Sequence, residues 1–188
     1  MTQWWFDLGR ASGIVAGVLM ALALVWGLLF SARETGKRLK PAWWLDLHTW
    51  LGGLALAFTV VHVVALFFSD VGIGVAQILI PGTSTSYEST GITWGVLAFY
   101  GLALSTITSW HRIKRRLPRR VWHLVHLVSI PSLVLVGVHG WASGSDADTF
   151  LFEALLVVLA GLAVYPAGLR VIGLVQARQD RARLAARS

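Results

Sequence analysis

Four of the six histidines in the 188-residue chain lie inside long apolar runs. His48 and His62 stand near the two ends of the stretch from Trp44 to Phe68, and His126 and His139 lie in the stretch from Val121 to Gly140. Imidazole is costly to place in hydrocarbon, so two pairs on two such runs call for a chemical reason. On an ideal helix the step from His48 to His62 climbs about 21 Å and stops about 40° short of whole turns, so both rings share one face near opposite sides of a bilayer. If the two runs cross in the same direction, His48 is level with His126 and His62 with His139. A pair of neutral imidazoles on facing helices can ligate iron from above and below a porphyrin, and two such pairs stack two haems across an insulating layer.

Other chemistries suit these residues less well. Hydrogen bonding between helices accounts for a lone intramembrane histidine, but not for four in two level pairs. Proton and metal pathways use intramembrane carboxylates, and only Asp46 and Glu153 lie even near helix ends. Zinc hydrolysis lacks a general-base carboxylate beside the histidines. Gly52 and Gly53, one turn after His48, and Gly137, just before His139, remove bulk either for a flat macrocycle or for tight helix packing. The second pair is out of register on ideal geometry: His126 and His139 point about 140° apart, and His123 fares no better at about 160° from His139. Pro131 lies between them and can kink the helix.

The elements that would position these rings follow from composition. The chain is 56% hydrophobic and 13% charged, against about 45–50% and about 25% in ordinary soluble domains. Nearly charge-free runs at 13–31, 44–68, 92–109, 121–140 and 150–169 each approach the roughly 20 residues that cross a bilayer as helix. The expected fold is all-α, a single membrane bundle of five transmembrane helices over residues 1–188, which leaves no room for a soluble catalytic domain. The lack of cysteine excludes disulfides, thiolate-ligated haem and c-type haem.

The net charge of +7 is distributed by topology and gives no nucleic-acid surface. Arg33, Lys37, Arg38 and Lys40 follow the first run, and Arg112, Lys114, Arg115, Arg116, Arg119 and Arg120 follow the third. Arg170, Arg178, Arg181, Arg183 and Arg187 follow the fifth. The alternate connections carry Asp70, Glu88, Asp146 and Asp148 without lysine or arginine. The positive-inside rule then places the N-terminus outside and the C-terminus in the cytoplasm. Trp4, Trp5, Asp7 and Arg10 match a cleaved signal peptide poorly, so the first helix is expected to be retained. Trp43, Trp44, Trp110, Trp122, Trp94 and Trp141 fall near helix ends as an aromatic belt. Val71–Ile80 is too short to span, and Pro81-Gly82 closes it; it reads as an interfacial segment over the bundle and a candidate lid.

Leu47-His48-Thr49-Trp50-Leu51-Gly52-Gly53 with His62, and Thr108-Ser109, the basic loop, Trp122, His126, Pro131 and His139-Gly140, together resemble the ferric reductase-like transmembrane domain. That domain is the haem core shared by ferric reductases and the membrane part of NADPH oxidases. The resemblance covers about residues 42 to 145. It implies two b-type haems with His48, His62, His126 and His139 as iron ligands, and leaves out His123 and His111. The stretch from Thr108 to His139 is also similar to the haem-binding membrane subunit of the periplasmic methionine sulfoxide reductase system, which usually lacks a histidine matching His48. Reductases of the larger family carry a further helix before the first one here and a flavin and nicotinamide domain after the last. Electrons are therefore expected from a separate donor protein, a partner's flavin or a quinol.

The expected function is transmembrane electron transfer in a bacterial plasma membrane, as an oxidoreductase component without its own flavin domain. A haem-binding anchor or sensor that does not turn over would keep the same ligands. Arg116 and Arg120, with Lys40, Arg112, Lys114, Arg115 and Arg119, surround the expected inner propionates; they can pair with these, dock an acidic donor or serve topology alone. On the outer side Arg10 is the one cationic candidate for a propionate, with neutralisation by Asp7 as the competing reading.

Overall fold

A computed structural model describes residues 2–31, 41–83 and 89–185. Within them the fold is helical without strands. In chain order the helices are α1 (Thr2–Ser31), α2 (Pro41–Phe67), α3 (Val75–Leu79), α4 (Ser89–Ser109), α5 (His111–Lys114), α6 (Arg119–Leu127), α7 (Ser129–Ser143) and α8 (Phe150–Ala185). Five stretches are long and apolar enough to cross a membrane: Gln3–Phe30, Ala42–Phe67, Thr90–Ser109, Arg119–Ser143 and Phe150–Leu184. The expected all-α bundle of five spans is thus present. The basic residues 33–40, together with Glu88 and Arg187, lie outside the described residues.

Three boundaries differ from the hydropathy reading. Helix α1 begins well before Gly13 and takes in Arg10. Helix α8 continues past Leu169 to Ala185; its arginines leave the apolar zone, but Ala, Leu, Gln and Arg are strong helix formers and nothing there stops the ladder. The fourth span is broken at Val128 into α6 and α7. Pro131 has no N–H for the Leu127 carbonyl and its ring crowds that carbonyl, so the break falls one turn before the proline.

Helices α1 and α2 form one hairpin and α4 with α6–α7 another, while α8 packs on α1. Met20, Ala55 and Leu102 meet at the centre, with Leu19, Leu56, Leu133 and Val136 against them. Much of the buried surface is small: Ala16, Ala21, Ala23, Ala65, Ala98, Ser12, Ser105 and Ser132. Small side chains let membrane helices approach closely where no hydrophobic effect drives them together. The buried hydroxyls are satisfied locally, Ser12 donating to the Leu8 carbonyl at 2.6 Å and Ser132 to Val128 at 2.8 Å. Helix α3 lies against α4, where Tyr100 donates to the Leu79 carbonyl.

Candidate functional site

The rings of both histidines of the second segment come toward α2. The His48 and His126 ring centroids are 5.8 Å apart and their planes cross at 73°. Those of His62 and His139 are 6.1 Å apart and cross at 78°. Both level pairs expected from the sequence are therefore formed, including the pair that ideal geometry put out of register. Two imidazole nitrogens each about 2 Å from a shared metal would set ring centroids about 6 Å apart. His123 and His111 are exposed and belong to neither pair.

Hydrogen bonds settle which nitrogen each ring presents. Nδ1 of His48 lies 2.9 Å from the Ala23 carbonyl, Nδ1 of His62 2.7 Å from Gly9, and Nδ1 of His139 2.9 Å from Gly91. A carbonyl only accepts, so in each ring Nδ1 carries the hydrogen and the neutral imidazole keeps its lone pair on Nε2. His126 reaches the same tautomer by another route. Its Nδ1 lies 3.2 Å from Ser109 Oγ, whose hydrogen is committed to the Ser105 carbonyl at 2.7 Å, so the ring must donate.

One turn beyond each accepting carbonyl, the partner helix removes its side chain. A Cβ at Gly13 would stand 2.7 Å from His62 Nδ1, one at Gly95 2.8 Å from His139 Nδ1, and one at Gly27 3.0 Å from His48 Cε1. Carbonyl and glycine thus form a slot of two residues, one turn apart, for each ring. The same offset along the chain separates Gly9 from Gly91, Gly13 from Gly95, Ala23 from Ser105 and Gly27 from Ser109. Trp44 and Trp122 likewise stand four residues before His48 and His126. The two hairpins are parallel repeats of one unit, each giving one ring to each level, and only Ser109 breaks the glycine rule. Sequence reasoning found the histidines but missed these slots; the small-residue pairs spaced in step with the histidines are the signal that carries them.

Residues 12–137 match the protein-family model described as ferric reductase like transmembrane component. The chain belongs to that family. Among curated proteins none matches it. The matched range holds His48, His62 and His126, and His139 stands two residues past its end. Ferric reductase-like domains generally bind haem.

The local structure fits such a group. Among the described residues no cluster of three or more histidine, cysteine or acidic side chains could hold a bare metal ion; a porphyrin already supplies four nitrogens and asks the protein for only two. Helix α2 packs on α1 and α7 on α4, leaving the two histidine-bearing helices to face each other mainly through their rings. A Cβ at Gly52, Gly53 or Gly137 would meet nothing within 4 Å, so these glycines face open space and make no tight helix contact. A cavity of about 1050 Å³, walled mostly by apolar side chains, reaches His62 and His139 and is closed at one side by Val71, Ile73, Gln77 and Ile78 around α3.

At the same end of this ferric reductase-like bundle Arg10 binds Asp146 through both Nε and Nη2. Asp7 is taken instead by Gln3, at 3.2 Å. The competing partner foreseen for Arg10 was thus the wrong aspartate, one on its own helix in place of one across the bundle, although Arg10 does line the cavity of the His62–His139 pair. A bidentate bridge of this kind acts as one unit. Arg10→Ala, Asp146→Ala and the double variant should therefore lower the thermal midpoint by the same small amount, as read from unfolding in detergent; additive losses would show the two side chains acting separately.

At the opposite end Arg112, Arg115 and Arg116 line an open depression of about 510 Å³. Arg120 is exposed on α6 outside that depression. Lys114 Nζ lies 3.9 Å over the Trp122 ring, and Trp122 stacks on His126 with centroids 5.1 Å apart.

Proposed function

We propose that the chain carries single electrons across a membrane on two b-type haems, one ligated by His48 and His126 and the other by His62 and His139. The single observation that carries this reading is the pair of matched imidazole couples, each near 6 Å and each with Nε2 turned to be the ligating nitrogen. Haem so held supplies one-electron ferric–ferrous chemistry at a fixed iron. The chain does the rest. The Nδ1 bonds fix each ring and raise its basicity as a ligand. The arginines of α5 and α6 give the basic end a field that attracts propionates or an acidic donor surface, with Arg116 and Arg120 among its groups.

By the positive-inside preference the arginine-rich end faces the cytoplasm, and the Arg10–Asp146 end lies outside. The donor in this reading is a separate one: a flavoprotein, a flavin held by a partner, or a quinol. The test is the pigment. Protein purified from haem-replete cells should show a low-spin, six-coordinate b-type spectrum and about two haems per chain by pyridine haemochromogen assay. One haem per chain, or a high-spin spectrum, overturns the proposal.

A further inference from the structure

The four ring slots are copies of one design, and one copy is altered. At His48, His62 and His139 the Nδ1–H points at a backbone carbonyl at 2.7–2.9 Å. At His126 a serine hydroxyl joins the Ser105 carbonyl: Ser109 stands where the pattern has Gly13, Gly27 and Gly95, and its oxygen lies 3.2 Å from Nδ1. That oxygen is also shared, because Trp122 Nε1 donates to it at 3.3 Å. His126 therefore divides its Nδ1–H between that shared hydroxyl and the Ser105 carbonyl, and makes no short, undivided bond of the kind seen at the other three rings.

A second departure falls on the same ring. Trp122 lies nearly parallel to His126, their planes 17° apart, and Lys114 covers the far face of the indole. In the other hairpin the equivalent Trp44 stacks instead on Trp26, at 4.4 Å, and gives its N–H to the Trp26 carbonyl. Among the described residues only one of the two basic-end histidines thus carries a cation–indole–imidazole stack.

Both departures push in one direction. A divided bond from Nδ1 leaves the imidazole less basic and donates less electron density to an iron on Nε2, which favours the reduced ion. A lysine cation held through an aromatic ring close to the ligand favours it again, in a medium that screens charge poorly. We propose that Ser109 and the Lys114–Trp122 stack act as positioning residues that make the His48–His126 level the higher-potential one, so that the first electron to enter the pair rests at the basic end. The inference builds on the bis-histidine haem reading above and extends it to the order of the two potentials.

The test is a potentiometric titration of the purified two-haem protein, followed by its optical spectrum, with each level assigned from the haem that remains in His62→Ala and in His48→Ala. The wild-type basic-end level should hold a lone electron at least tenfold more often than the other, a separation of about 59 mV for a one-electron couple. Ser109→Gly, which restores the slot seen at the other three rings, should lower that midpoint toward the second level and leave the second in place, with two haems retained. Lys114→Gln, at an exposed position away from the ring's hydrogen bonds, should lower the same midpoint. A reversed order in the wild type, or both variants leaving the midpoint unmoved, overturns the inference while the two-haem reading stands. A colourless protein, or His48→Ala retaining both haems, overturns that reading and the inference with it.

Discussion

His48→Ala and His126→Ala should each cut the haem content from about two per chain to about one, and the haem lost should be the same one in both. His62→Ala and His139→Ala should each remove the other. The pairing is the discriminating part, because partners lie on different hairpins and His62 and His139 are far apart in sequence, yet their rings are 6.1 Å apart. Removing one of the two imidazoles that would hold a haem leaves the other ring of that level without its partner across the bundle. The measurement is haem per chain with spectra resolved at low temperature, and the double variant His48→Ala/His126→Ala should lose no more than either single one. If His48→Ala and His139→Ala removed the same haem, the levels assigned here would be wrong.

Methyl groups placed in the slots should be nearly as damaging as ligand loss. In Gly13→Ala and Gly95→Ala the new Cβ would stand 2.7 and 2.8 Å from the Nδ1 of His62 and His139, so each ring must shift or give up its carbonyl. Metal ligands tolerate displacements of only about 0.2 Å, and loss of an outer partner commonly costs tenfold to a hundredfold in affinity. Both variants, on different helices, should thus weaken the same haem by about that factor, and Gly27→Ala, whose Cβ meets His48 at 3.0 Å, should act on the other and more mildly. Gly17→Ala is the control: its Cβ reaches only Val136, at 3.5 Å, an ordinary contact. Haem titration of the apoprotein reads the effect, and an unchanged affinity in Gly13→Ala and Gly95→Ala would remove the slots from the site.

Hydropathy made the five spans legible, because a membrane admits few alternatives to a long apolar helix. The histidine pairs were legible for a related reason: imidazole in such a run is conspicuous, and a count of residues puts His48 and His62 on one face. What could not be read was the orientation of His139 relative to His126. That depends on how α7 packs on α4, a long-range contact that the presence of Pro131 does not specify. The Nδ1 acceptors were invisible for a simpler reason, since every residue has a carbonyl and nothing in the letters marks the one at Ala23 or Gly91. Arg10 went to Asp146 because helix packing brings the connection after α7 over the start of α1, a long-range neighbour that local charge counting does not find.

The repeat has a consequence for how the protein is made. Each hairpin carries one half of both levels, so neither can clamp a porphyrin while it is alone in the membrane. The first hairpin leaves the ribosome with His48 and His62 in place and waits several seconds for α7 to supply the last ring. If two haems are bound as proposed, their capture is then a closing event of biogenesis, after both hairpins have been inserted, and it adds to the packing of Met20, Ala55, Leu102, Leu133 and Val136 that already joins the halves. Cells starved of iron should then accumulate the chain with the seam between α2 and α7 unfilled and more open there to quality-control proteases.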